Sequence, residues 1–70
     1  MNKYLIMYEE LYNLKQMQRI FMTSVNNNWV LWAVFKDGTV ELSSGTEKKI
    51  KQQFKAIKYF LLSSDEVIEI

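Results

Sequence analysis

The chain has no cysteine, no histidine and no proline, only two glycines, and a single arginine, Arg19, among its 70 residues. Without cysteine there is no disulfide and no thiolate nucleophile. Without cysteine or histidine a structural metal site has lost its usual ligands. General acid–base work near neutral pH commonly draws on histidine, so that route is closed too. The carboxylates include two adjacent pairs, Glu9-Glu10 and Asp65-Glu66, whose members diverge on a helix and alternate on a strand. They are poor candidates for converging carboxylates or for a hard cation. Gly38 and Gly45 have turn and pre-helix explanations, and no glycine-rich phosphate loop is present. The expectation is a protein that is not an enzyme and has no cofactor or metal.

Long apolar runs are missing as well. None reaches the ~18–20 residues that a membrane span requires, and residues 1–10 hold too short an apolar segment for a signal peptide. The chain reads as cytoplasmic, with no membrane partner. Lysine far outnumbers arginine, Asn and Ile are frequent and proline is absent. That bias suggests an AT-rich coding sequence, from a bacterium or something that replicates inside one.

What is present suits one small packed domain, residues 1–70, with 49% hydrophobic and 14% aromatic residues. A chain of this size buries only about 60% of the surface its unfolded state exposes, so its stability margin is thin. A homodimer is one way to gain buried area. Net charge is +1 but unevenly placed: residues 46–62 carry five lysines against Glu47, and residues 63–70 carry Asp65, Glu66 and Glu69. Such a local imbalance does not make a basic nucleic-acid-binding domain.

The organising stretch is 29–43, two runs rich in β-branched and aromatic residues around Asp37-Gly38. A type I′ hairpin turn at that pair would set Phe35 opposite Val40, Ala33 opposite Leu42 and Trp32 opposite Ser43. Side chains alternate along a strand. Trp29, Leu31, Ala33, Phe35, Val40 and Leu42 then form a core face, with Trp29 buried. The other face is polar near the turn but carries an apolar ridge, Val30-Trp32-Val34.

Upstream, Tyr4, Leu5, Tyr8, Leu11 and Tyr12 recur at helical spacing, which favours a helix over residues 2–14 capped by Asn2. Tyr4 to Tyr8 also admits a strand. Residues 18–25 read as a first strand and Asn26-Asn27-Asn28 as a turn. A loop of two or of three residues there would exchange Ile20 and Met22 for Phe21 and Val25 between the faces. Downstream, Ser44-Gly-Thr-Glu47 reads as a capping box with Ser44 as N-cap. Ile50, Phe54, Ile57 and Leu61 define the buried stripe of the helix that follows, with Phe54 in mid-stripe. Residues 66–70 close the chain as a short strand, running parallel to the first or third strand of the meander.

The predicted fold class is α+β. An antiparallel meander would have an N-terminal helix, a long C-terminal helix packed on one face, and a short final strand, in two layers. Two surfaces stand out for binding. One is the ridge Val30, Trp32 and Val34, which is either an interaction face or a second core under the N-terminal helix. The other is a stripe of Lys48, Lys51, Lys55 and Lys58 beside Tyr59, which either meets phosphates or an acidic partner or simply solvates the helix.

In layout, Leu31-Trp-Ala-Val-Phe-Lys-Asp-Gly38 followed by Ser43-Ser-Gly-Thr-Glu47 and the helix through Phe54 and Ile57 resembles several small phage-encoded inhibitors of host machinery. Among these are the anti-CRISPR proteins. The resemblance implies a non-enzymatic protein that occludes a surface of a host nucleic-acid enzyme. Many such inhibitors are strongly acidic DNA mimics, and the net charge of +1 departs from that. Two alternatives stand beside it. One is a small nucleic-acid-binding protein that stacks bases on Trp32 and uses the lysine stripe for phosphates. The other is a structural homodimer.

Overall fold

The N-terminal segment, which the sequence leaves open between helix and strand, is extended. A computed structural model describes residues 2–70. In it β1 (Tyr4–Met7) and β2 (Glu10–Asn13) form an antiparallel hairpin where a helix was expected. The deciding pattern is alternation. Leu5 and Met7 are fully buried while Tyr4 and Ile6 are half-buried on the other side, and Leu11, placed on the apolar face by the helical spacing, is exposed. The turn between them, Tyr8-Glu9, has both residues at positive φ, 51° and 64°, without the Gly or Asn that would have announced it. Asn2 therefore caps no helix.

A 3-10 turn at Leu14–Gln16 leads into the meander β3 (Met17–Val25), β4 (Asn28–Phe35) and β5 (Gly38–Gly45). Asn26 and Asn27 form the first turn at φ 51° and 63°, so that loop has two residues and Val25 pairs with Asn28. Ile20 and Met22 accordingly join the core face and Phe21 the opposite one.

The second turn differs from the I′ expectation. The loop is Lys36-Asp37, both at negative φ, and Gly38 already pairs with Phe35 at φ 142°. Ala33 therefore opposes Val40, and Trp32 opposes Glu41. The pairing is two residues away from the predicted one, and an even slip preserves which side chains share a face. A bulge follows, after which Leu31 opposes Ser43. Two residues of a bulged strand share one partner position, and Leu42 and Ser43 are both buried here.

Thr46, two residues beyond the predicted cap, starts α1 (Glu47–Leu62), its hydroxyl accepting from the Lys49 N–H at 3.2 Å. The helix buries Ile50, Ile57 and Phe60 against the core face of the meander, where Leu31 and Ala33 are fully buried. Phe54 and Leu61 flank that line half-buried, so mid-stripe belongs to Ile57. Trp29 is likewise only half-buried, at the rim of the core.

The last strand, β6 (Val67–Glu69), pairs parallel with β1, not with the meander, and completes a second sheet of order β2-β1-β6. Six strands in two sheets and one helix make the domain α+β. Lys3 ties this sheet to the end of α1. Its ammonium lies 4.6 Å from the Phe60 ring centre and donates to the carbonyls of Phe60, Ser63 and Asp65 at 3.1, 2.8 and 2.5 Å. A cation at a helix C-terminus meets the negative end of the helix dipole. Among the described residues no helix is long and apolar enough to cross a membrane.

Candidate functional site

Alternation along β4 sends Leu31 and Ala33 into the core and Val30, Trp32 and Val34 to the other side of the sheet. No side chain of that second face belongs to the core cluster, and with no N-terminal helix the expected cover is gone. Its middle row runs Phe21–Trp32–Glu41 across β3, β4 and β5. The Phe21 and Trp32 rings are stacked, 6.4 Å between centres and 18° between planes. The Trp32 indole N–H donates to the Thr23 hydroxyl at 2.8 Å, and the Arg19 guanidinium lies 4.5 Å from the centre of the Phe21 ring. Stacked rings with a cation over one of them hold their shape without a second layer. Trp32, Phe21, Val30 and Val34 are thus half-buried by one another, not by another element.

Within the three strands the charge on this face is one cation, Arg19 on β3, and one carboxylate, Glu41 on β5, with Lys36 in the turn beyond its end. Lys48, Lys51, Lys55, Lys58 and Tyr59 are all exposed on α1, which packs on the opposite side of the same sheet. The two surfaces singled out in the sequence are therefore separated by the sheet itself. Part of the stripe is engaged locally. Lys51 pairs with Glu47 at 2.5 Å and sits 5.1 Å from the Trp29 ring centre, and Lys55 lies 5.8 Å from that of Tyr59.

The sequence leaves Phe21 and Met22 as alternative neighbours of Trp32 and does not single out Arg19 or Thr23, because their side depends on the length of the asparagine turn; the two-residue turn selects Phe21. A second group left no sequence signal. Tyr8, in the β1–β2 turn, shares a 2.9 Å hydrogen bond with the buried Ser43 hydroxyl at the β5 bulge. Lys49 lies beside it, its ammonium 5.5 Å from the ring centre and donating to the Ser44 carbonyl at 3.1 Å. The nearby Lys49 ammonium first, then the Ser43 bond and the Gln53 amide, lower the Tyr8 hydroxyl to about 8. Tyr12 goes the other way. Its ring stacks on Phe35 at 6.1 Å, and burial first, then its bond to the Glu10 carboxylate, push it up to about 12.

The β2 edge and the β4–β5 turn enclose an open groove of about 390 Å³, lined by Leu11, Tyr12, Phe35 and Val40 with Asp37 at its rim. Among the described residues no three Asp, Glu, Cys or His side chains converge.

No family model, no curated protein and no solved structure matches this chain.

Proposed function

We propose that the chain is a non-enzymatic protein-binding module that docks through the open face of the β3–β4–β5 sheet. The observation that carries this is the stacked Phe21–Trp32 pair, flanked by Val30 and Val34, on a face outside the core cluster. Aromatic side chains with an adjacent arginine are what interface centres concentrate, and an uncovered apolar patch of this kind marks a contact surface. Partner-binding residues are then Val30, Trp32 and Val34, with Phe21 added. Lys48, Lys51, Lys55, Lys58 and Tyr59 form a separate outer surface for an acidic partner.

Nucleic-acid binding is the weaker alternative. Stacking on Trp32 and phosphate contacts from the α1 lysines sit poorly with one strand when the sheet lies between them, and Arg19 is the single cation within the strands of the aromatic face. A narrower form of the proposal makes the chain a phage- or plasmid-encoded inhibitor that covers a surface of a host nucleic-acid enzyme, such as a CRISPR effector. Its support is the meander followed by an amphipathic helix; the N-terminal helix of that layout is absent.

The test is capture from bacterial lysate by the tagged chain and by Trp32→Ala, with circular dichroism confirming that both are folded. Truncating a hot-spot tryptophan costs about 2 kcal/mol or more, roughly thirtyfold in affinity, so the variant should lose the captured protein. Equal capture by both chains would exclude this face. An affinity for oligonucleotides that falls steeply with log[salt] would favour the alternative.

A further inference from the structure

We infer that the partner seated on the open sheet face is a second copy of this chain, related by a two-fold axis parallel to β4. The inference rests on the reading of that face as a docking surface. What selects a copy is the placing of its two charges. Across the sheet, β3 and β5 flank β4, so Arg19 and Glu41 stand on opposite margins of one apolar face, with Trp32 between them.

Consider two such faces stacked about 10 Å apart, as packed sheets are. A two-fold axis in the interface, along β4, places β3 of one molecule over β5 of the other. Arg19 belongs to the Arg19–Val34–Thr39 row and Glu41 to the adjacent Phe21–Trp32–Glu41 row. Adjacent rows are about 7 Å apart along a strand, a gap that an arginine side chain spans. Each Arg19 then meets Glu41 of the second copy, twice by symmetry, and Trp32 meets Trp32 near the axis. The other in-plane axis, across the strands, lays β3 over β3 and leaves both charges unpaired. Charge complementarity therefore picks one arrangement.

Size sets the strength. Three strands by about seven residues give a face of roughly 14 by 24 Å, below the about 800 Å² that a standard interface buries per partner. The association should be weak and reversible, with a dissociation constant on the order of 100 μM. In the resulting dimer the two α1 helices are the outermost layers, and both lysine stripes face outward.

Sedimentation equilibrium from roughly 10 μM to 1 mM should resolve monomer and dimer. Arg19→Glu and Glu41→Arg, both at exposed positions, should each weaken the dimer about tenfold or more by opposing like charges. Mixing the two variants should restore it as a heterodimer, because both contacts then pair opposite charges. Single variants that dimerise like the wild type, or a mixture that does not recover, would overturn the arrangement. A wild-type chain that stays monomeric at the highest concentration would overturn the second copy as partner. In that monomer acrylamide quenching of Trp32, read in a Trp29→Phe background, separates the two ideas. Ready quenching leaves the face open for a different protein, and a shielded Trp32 removes the docking face itself.

Discussion

Leu31 and Trp32 are neighbours in sequence on opposite faces of β4. Leu31 is fully buried beneath α1, whereas Trp32, larger and also apolar, is half-buried among its neighbours on the same sheet face. Hydrophobicity does not explain the difference, since both faces are apolar at their centres. One amphipathic helix has one apolar stripe and can cover one face. The covered face has Ala33 at its middle, a small side chain that lets a helix approach. The uncovered face is built to stand without cover, its indole N–H bonded to Thr23 and its rings stacked.

Truncating each of the two neighbours should separate the faces by the size of the stability loss. Leu31→Ala should cost about 3 kcal/mol by urea denaturation, from lost burial and the cavity left behind. For a chain of this size, whose total stability is roughly 3–10 kcal/mol, that is close to unfolding. Trp32→Ala should cost about 1 kcal/mol, the scale of a cross-strand aromatic pair. Equal costs would mean that the second face is also core.

The faces are assigned by register, and register depends on the turns. Gly38 sits at φ 142° with no atom within 4 Å of where a Cβ would stand. The Cβ of Gly38→Val would meet no clash, so its effect is dominated by backbone strain, expected at about 1–3 kcal/mol. A neutral substitution would show that the turn relaxes into another geometry, and that the pairing of Ala33 with Val40 is not fixed there.

These two positions also show how much was legible in the chain. Side-chain alternation in 29–43 assigns the faces as far as the bulge, because the register error there is an even one, and it sets the ridge away from the helix; beyond the bulge the shift is odd, and Ser43, expected opposite Trp32, is buried opposite Leu31. The asparagine turn was visible as a turn, yet its length could not be read. The N-terminal hairpin was invisible for a physical reason. Its turn places Tyr8 and Glu9 in the left-handed region, which their side chains disfavour by about 1–2 kcal/mol each, so local preference argues against it. Tertiary contacts override that preference: Leu5 and Met7 are buried, β6 pairs with β1, and Tyr8 reaches Ser43. None of those is a local signal, and the helical spacing of Tyr4, Tyr8 and Leu11 was a coincidence of composition.

The contrast between covered and open surface recurs on a smaller scale in that hairpin, where the two tyrosines should titrate on either side of the ordinary value. Tyr12, against Phe35 and Glu10, is pushed up to about 12, and Tyr8, beside Lys49, is drawn down to about 8. An unfolded tyrosine ionises near 10. The folded pKa of Tyr12 is raised, so its contribution to stability is complete below pH 10 and is lost as pH rises towards 12. The folded pKa of Tyr8 is lowered, so its contribution is complete above pH 10 and is lost as pH falls through 8. The wild type should therefore gain stability over Tyr8→Phe as pH rises from 8 to 10, by a small amount because Tyr8 is 57% exposed and water screens the charge. Absorbance at the tyrosinate band should show one group ionising near pH 8 that is missing in Tyr8→Phe. A Tyr8→Phe difference that stays flat across pH 8–10, with no early tyrosinate, would mean that Lys49 does not hold the phenol in solution and that the β1–β2 turn is tied to the β5 bulge by Ser43 alone.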